Sequence, residues 1–225
     1  MTAQPIQAAL LDKSAVREVY TSLAPMYDTW AALTEVRARV SALQLAAVKD
    51  GEHVLEVAVG TGLAFEELVR ANPGGLTEGV DLTAAMLAKA QARVAGVDAS
   101  RWRLSVGDAY ALPFRDASFD LVLNNYMFDL LPEGDFAQVL GEMHRVLRPG
   151  GRLVLVNMAQ GGRWWHRALD NAYRLAPRLM GGCRGVTMAP HVATTGFVAV
   201  REHRVVQCGF PSEVIHAERA TGGVQ

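Results

Sequence analysis

The run Glu56-x-Ala58-x-Gly60-x-Gly62 lies between a short apolar stretch and the pattern of a helix from Leu63. Glycines in such a turn let backbone approach a ligand, and the helix behind them aims its free amides at it. That chemistry holds phosphates, dinucleotides or other small cofactors. The dinucleotide fingerprint G-x-G-x-x-G is not met, because Phe65 stands where its third glycine would be. Asp81, in "EGVDLTAAML", follows the next apolar run. A carboxylate about 20 residues beyond the glycines can accept both hydroxyls of a ribose, with Leu82 and Met86 packing on an adenine face. Its plainer alternative is a cap on the helix near Thr83. Asp108, in Gly107-Asp108-Ala109, could accept a hydrogen bond from an exocyclic adenine amine or be an ordinary turn aspartate. Asn124, in Asn124-Asn125-Tyr126, would face a cleft or cap a helix. Pro149-Gly150-Gly151 reads as a turn feeding a strand, and His144 as a surface or packing histidine.

The elements that must position these residues follow from periodicity. Val16, Val19, Tyr20 and Leu23 fall on one helical face, ended by Pro25. Asp28 is expected to cap a second helix to about Lys49, with Trp30, Leu33, Val36, Val40, Leu43 and Ala47 inward. Strands are expected at His53–Val57, Leu76–Val80, Trp102–Val106, Leu121–Asn124 and Arg152–Asn157, with helices near 63–71, 83–95 and 133–146. Near-continuous apolar strands alternating with helices argue for a parallel sheet covered on both faces, a doubly wound α/β domain. Thr187–Thr195 reads as a short helix. Phe197–Val206 and Ser212–Ala217 read as a closing antiparallel pair.

Composition narrows the function classes. The 225 residues are 50% hydrophobic, enough for a substantial core. The 22 basic and 23 acidic side chains nearly cancel, which leaves no global footprint for nucleic acid. Cys183 and Cys208 lack the spacing of a zinc site or a disulfide framework, so no metal is expected. The start of the chain has no signal-peptide pattern, and no apolar run approaches the roughly 20 residues of a membrane span. The expectation is a soluble, cytoplasmic protein.

The ordered set of glycine loop, Asp81, Gly107-Asp108-Ala109 and Leu147-Arg-Pro-Gly-Gly151 resembles the class I S-adenosylmethionine (SAM) dependent methyltransferases. The resemblance runs from about Val16 to Val156 and implies a Rossmann-like, mostly parallel seven-stranded sheet with SAM as cofactor. It implies that Glu56, Ala58, Gly60, Thr61 and Gly62 wrap the methionine part and that Asp81 binds the ribose. Leu82, Met86, Asp108 and Ala109 would surround the adenine, with Asn124 and its neighbours near the sulfonium. Ala58 departs from the family's first glycine, which is tolerated if its φ is negative. "YTSLAPMYD" is similar to the N-terminal segment of the ubiquinone/menaquinone-biosynthesis C-methyltransferases and of bacterial phosphatidylethanolamine N-methyltransferases. That likeness implies that Tyr20 and Tyr27 close the pocket, residues 1–49 forming a helical lid on a methyltransferase domain of 50–225.

The acceptor is then expected to be small and lipophilic, a quinone precursor or a lipid amine. A non-catalytic SAM-binding regulator and a nicotinamide oxidoreductase are the alternatives. Residues 161–186 read as a helical excursion in which Arg163, Arg167, Arg174, Arg178 and Arg184 face one acid, Asp170, while Trp165, Leu169, Ala172 and Ala176 share a side. Such a helix could rest peripherally on an anionic membrane or simply be a solvated cap. Asp129 and His166 are candidate bases by position only, and no catalytic residue is assigned.

Overall fold

The computed structural model describes residues 6–160 and 182–222. Three helices lead, α1 (Lys13–Leu23), α2 (Tyr27–Thr34) and α3 (Val36–Ala46). Then β1 (His53–Val57), α4 (Leu63–Ala71), β2 (Leu76–Asp81), α5 (Ala84–Val94), β3 (Trp102–Val106), β4 (Phe119–Asn125), α6 (Phe136–Val146) and β5 (Leu147–Met158) alternate. A short α7 (Ala189–Thr194) and the hairpin β6 (Phe197–Gln207) and β7 (Phe210–Arg219) close the chain. Among the described residues the strands form one seven-stranded sheet, in the order β3-β2-β1-β4-β5-β7-β6. The first five run parallel, and β7 pairs antiparallel with both β5 and β6. Cys208 and Gly209 make the hairpin turn with φ of 47° and 83°, the left-handed pair that matches strand twist.

Alternation along the central strands builds two cores at once. Val122 of β4, and Phe119 beyond the irregularity between Phe119 and Leu121, pack with Phe136, Val139, Leu140 and Met143 of α6. Leu121 and Leu123, on the opposite face, meet Ala38, Ala42 and Ala46 of α3. The apolar runs are therefore nearly continuous because both faces are covered.

The N-terminal helices correct the sequence expectation. The stretch 28–49 is two helices broken at Glu35, and Met26, not Asp28, stands at the N-cap of α2. The buried residues are Ala31, Thr34, Ala38, Ala42 and Ala46, whereas Trp30, Leu33 and Val40 are exposed. The larger side chains suggested the inward stripe, but a helix lying close on a sheet buries the positions with the smallest ones. Pro25 is likewise not preceded by a non-helical residue. Ala24 keeps φ −46° and ψ −40°, and its N–H still bonds the Tyr20 carbonyl.

The chain reverses sides between β1 and β4, with β2 on one flank and β4 on the other. Ligands in open α/β sheets bind outside the carboxyl strand ends at such a switch point. Val57 is level with Val80 and with Asn124, and Asp81 with Val106, so the expected site residues end on one edge.

Candidate functional site

A cavity of about 460 Å³ opens at that edge. Its walls come from the β1 turn (Ala58, Gly60), the end of β2 (Asp81, Leu82, Met86) and the β3 loop (Asp108, Ala109). Tyr20 and Tyr27 reach it from α1 and α2. These nine sequence-predicted residues are brought together. Four others lie behind the wall. Glu56 is buried beneath the floor, Thr61 and Gly62 support the turn, and Asn124 is fully buried.

The two glycines serve different ends. Gly60 has φ +58°, and a Cβ added to it would meet nothing within 4 Å, so its open side is the cavity. Gly62 has φ +86°, and its Cβ would fall 2.7 Å from Ala90 of α5, so it permits helix packing rather than ligand approach. Thr61 is locked in place. Its hydroxyl donates to Asp28, its carbonyl accepts from Arg93 at 2.8 Å, and Arg93 also pairs with Asp28. Ala58 adopts φ +58°, which overturns the expectation of a negative angle and leaves an L-residue in the left-handed region.

Asp81 is the most constrained group in the site. Its Oδ2 accepts from the Gly60 amide at 2.8 Å and its Oδ1 from the Thr83 amide at 2.8 Å. The capping and ligand-facing alternatives are thus compatible, because each carboxylate oxygen keeps a second lone pair. Burial pushes its carboxyl above the usual range, and the two amides oppose that push.

Asp108 is less free than its sequence context suggested. Lys13 of α1 reaches its Oδ2 at 2.6 Å, and the Tyr110 amide donates to its Oδ1 at 3.1 Å. Partial burial raises this carboxyl, but Lys13 and Tyr110 outweigh it and hold it below the usual range. Lys13 also sits 4.0 Å over the Tyr110 ring, whose hydroxyl donates to Asp135 at 2.7 Å. The sequence offered no signal for Lys13, which lies 95 residues from its partner.

Asn124 corrects a third expectation. Its Nδ2 donates to the Val57 carbonyl at 2.7 Å and ties β4 to β1, while its neighbour Asn125 lines the cavity. Successive strand residues face opposite ways, and the register selects Asn125. Asn125 in turn donates to Glu56 Oε1 at 3.3 Å. Glu56 Oε2, Asn124 Oδ1 and Asn125 Oδ1 are buried acceptors with no hydrogen-bond partner. Burial raises the Glu56 carboxyl well above the usual range. Of the three, Asn125 is the one that lines the cavity, where its unfilled acceptor suits a ligand that carries a hydrogen-bond donor.

Three phenols, of Tyr20, Tyr27 and Tyr126, line the cavity. Tyr20 and Tyr27 have ring centroids 6.0 Å apart. The Tyr27 hydroxyl donates to Glu35 at 3.3 Å, the Tyr20 hydroxyl lies 3.5 Å from the Cys183 sulfur, and the Tyr126 hydroxyl lies 2.8 Å from Ser212. Burial raises all three phenols. Tyr126 also borders a second, smaller chamber, with Glu35, Asp129 and Cys183 on its wall. Sequence reading placed the Asn124-Asn125-Tyr126 stretch at the cleft with Asn124 as its leading residue, and Asn125 and Tyr126 are the two of it that line the cavity.

Arg184 is not part of a solvated basic face. It is buried, and its guanidinium donates to the carbonyls of Gln7, Asp129 and Leu131. Arg163, Arg167, Arg174, Arg178, Asp170, Trp165, Leu169, Ala172, Ala176 and His166 lie outside the described residues. Among the described residues no helix is long and apolar enough to cross a membrane.

Comparison with known proteins gives a consistent result. Residues 54–151 match the family model described as a methyltransferase domain. The chain is 32% identical over 166 residues to the demethylmenaquinone methyltransferase of Listeria monocytogenes serotype 4a, covering 70% of this chain and 68% of that one. It is 43% identical over 116 residues to the ubiquinone/menaquinone biosynthesis C-methyltransferase of Paracoccus denitrificans, covering 51% of this chain and 45% of that one. The fold is similar to that of the Burkholderia thailandensis 1,6-didemethyltoxoflavin-N1-methyltransferase, with a TM-score of 0.74, 20% identity, and 97% and 93% of the two chains covered.

Proposed function

The chain belongs to the class I SAM-dependent methyltransferases, close to the quinone-biosynthesis C-methyltransferases, and on that premise we propose that it methylates a lipophilic hydroxy-aromatic quinone precursor. The observation that carries the site assignment is Asp81, held by the Gly60 and Thr83 amides beside a turn whose open side is the cavity.

In this reading Asp81 receives the two ribose hydroxyls of SAM. Leu82, Met86 and Ala109 pack on the adenine, and Asp108, steadied by Lys13, accepts from its amine. Ala58 and Gly60 lie along the methionine part, whose ammonium is offered the unfilled oxygen of Asn125. Tyr20 and Tyr27 close the cavity from residues 1–49, the lid over a catalytic domain of 50–225.

Bound SAM supplies a methyl group already activated by its sulfonium. The chain's own task is then to hold the acceptor in line and to keep water out. The half-buried tyrosines and the apolar walls of Val57, Val80 and Met127 serve both ends. The quinone-precursor class rests on the Listeria and Paracoccus relatives, and a lipid amine is the competing acceptor.

The test is to incubate the protein with methyl-labelled SAM and fractionated lipid and aqueous extracts. Label on a ring carbon of a lipid-soluble hydroxy-aromatic is expected. Label only in amines would overturn the acceptor class, and micromolar SAM binding without any transfer would overturn catalysis.

A further inference from the structure

Asp129 follows the end of β4 in a short turn, Phe128–Leu130, that Arg184 fixes by bonding the Asp129 and Leu131 carbonyls. The nearby guanidinium is thus spent on backbone and not on the carboxylate. The side chain is fully buried, and neither Oδ1 nor Oδ2 has a well-formed hydrogen bond, although its own amide and the Cys183 thiol are near enough to pull on its charge. A buried polar atom without a partner costs folding free energy, so an acid with two such atoms calls for a use beyond stability.

Its carboxylate lines the small chamber of about 30 Å³, room for about one water. Tyr126 is a wall of both this chamber and the main cavity. Cys183, also on the chamber wall, touches the hydroxyl of Tyr20, a main-cavity residue. Resting on the hydroxy-aromatic reading above, we infer that Asp129 takes the proton of the methyl acceptor's hydroxyl, through one water held in the chamber behind Tyr126.

The step balances as follows. The acceptor's O–H bond breaks and its proton goes by way of the water to an Asp129 oxygen. The freed electron pair moves into the ring, and the adjacent ring carbon bonds the methyl. The methyl's old bond breaks with its pair left on sulfur, now a neutral thioether. The hydrogen on that carbon then leaves as a proton to solvent, and Asp129 returns its proton to the ring oxygen. One proton is released in all.

The chamber suits this role. Burial holds the Asp129 carboxyl up at about 6, against the pull of its own backbone amide, Cys183 and Arg184. It is therefore ionised, and able to accept, near neutral pH. The other titratable groups facing it are Tyr20, Tyr27, Tyr126, Cys183 and Glu35. Burial raises the phenols and the thiol, which stay protonated there, and lifts Glu35 to about 7. Asp129 is thus the first of the set to lose its proton as pH rises.

The experiment compares wild type, Asp129→Asn and Asp129→Glu, using labelled SAM and a prenylated dihydroxynaphthalene, or whichever acceptor wild type labels. A wrong acceptor class fails already in wild type, whereas a wrong proton acceptor fails only in the comparison. Asp129→Asn is expected to lose about 10²- to 10⁴-fold in kcat. It should keep SAM affinity within about 2-fold, a factor small beside the loss expected from a broken binding contact. The acid limb of the pH profile near 6 should disappear in the Asn variant and return, at reduced rate, in the Glu variant. A rate within about 3-fold of wild type, well short of a general-base contribution, overturns the proposal. So does an acid limb that survives in Asp129→Asn. An Asn variant that does not fold overturns it as well, since loss of an unpartnered charge is not expected to unfold the chain.

Discussion

Asp81→Asn tests the site assignment most directly, because it preserves shape while removing one acceptor and the charge. In the folded chain both oxygens are engaged at 2.8 Å, one by the Gly60 amide and one by the Thr83 amide. The new –NH2 cannot accept, so one amide loses its partner and one ribose hydroxyl loses a charge-assisted bond. Such a bond is worth about 1.5–3 kcal/mol, which corresponds to roughly a 10- to 150-fold weaker Kd for SAM. The apo protein should suffer less, because the buried carboxylate is itself disfavoured by desolvation and the amide escapes that cost. Isothermal titration with SAM reads the first effect, and urea unfolding of the apo protein reads the second. An unchanged Kd would refute the ribose role. A loss of folding stability as large as the loss of binding would mean that the side chain serves the turn alone.

The other predictions concern the turn and the buried acids. Ala58→Gly should raise apo stability by about 0.5–1 kcal/mol, relief of the left-handed strain at φ +58° exceeding the entropy cost of glycine; a lower urea midpoint would contradict the strain argument. Gly62→Ala should cost about 2–4 kcal/mol, since its Cβ would fall 2.7 Å from Ala90 and force α4 and α5 apart; unchanged stability would show that the helices yield freely. Burial raises Asp129 to about 6, Glu35 to about 7 and Glu213 to about 8. Between the ordinary carboxylate range and these values the native state holds protons that the unfolded state has released. Apo stability should therefore be full below the unfolded values and fall as pH rises from about 5 to 8, by about 1.4 kcal/mol per group per unit while each remains protonated. A stability that climbs over that range, read by denaturant midpoints, would exclude the raised values.

Much of the architecture was written locally and could be read without tertiary information. The strands β1 and β3 have the bounds their apolar runs suggested, and β2, β4, β6 and β7 extend theirs by one to a few residues. Alternating texture specifies a covered parallel sheet because each strand must satisfy two cores. The glycine turn and Asp81 were legible for a related reason. Turn chemistry and a carboxylate at a strand end are short-range features, and the fold class dictates which edge they share. The phenols at Tyr20 and Tyr27 entered through a short segment with a recognisable pattern, and both line the cavity.

What the sequence left undecided depends on neighbours far away in the chain. The inward face of 28–49 was set by how closely α3 lies on the sheet, which favours Ala38, Ala42 and Ala46 over the larger residues beside them. The positive φ of Ala58, the assignment of Gly62 to Ala90, and the choice of Asn125 over Asn124 at the wall all come from packing and register. Lys13 meets Asp108 across 95 residues, and Tyr20 meets Cys183 across 163. Asp129 could be named only by position, because its burial beside Cys183 and Arg184 is set by segments distant in the chain. Sequence by itself therefore determined the fold and most of the strand-end positions that line the cavity. Only the tertiary structure, by closing distant segments over a desolvated chamber, decided that Asp129 is the acid buried there.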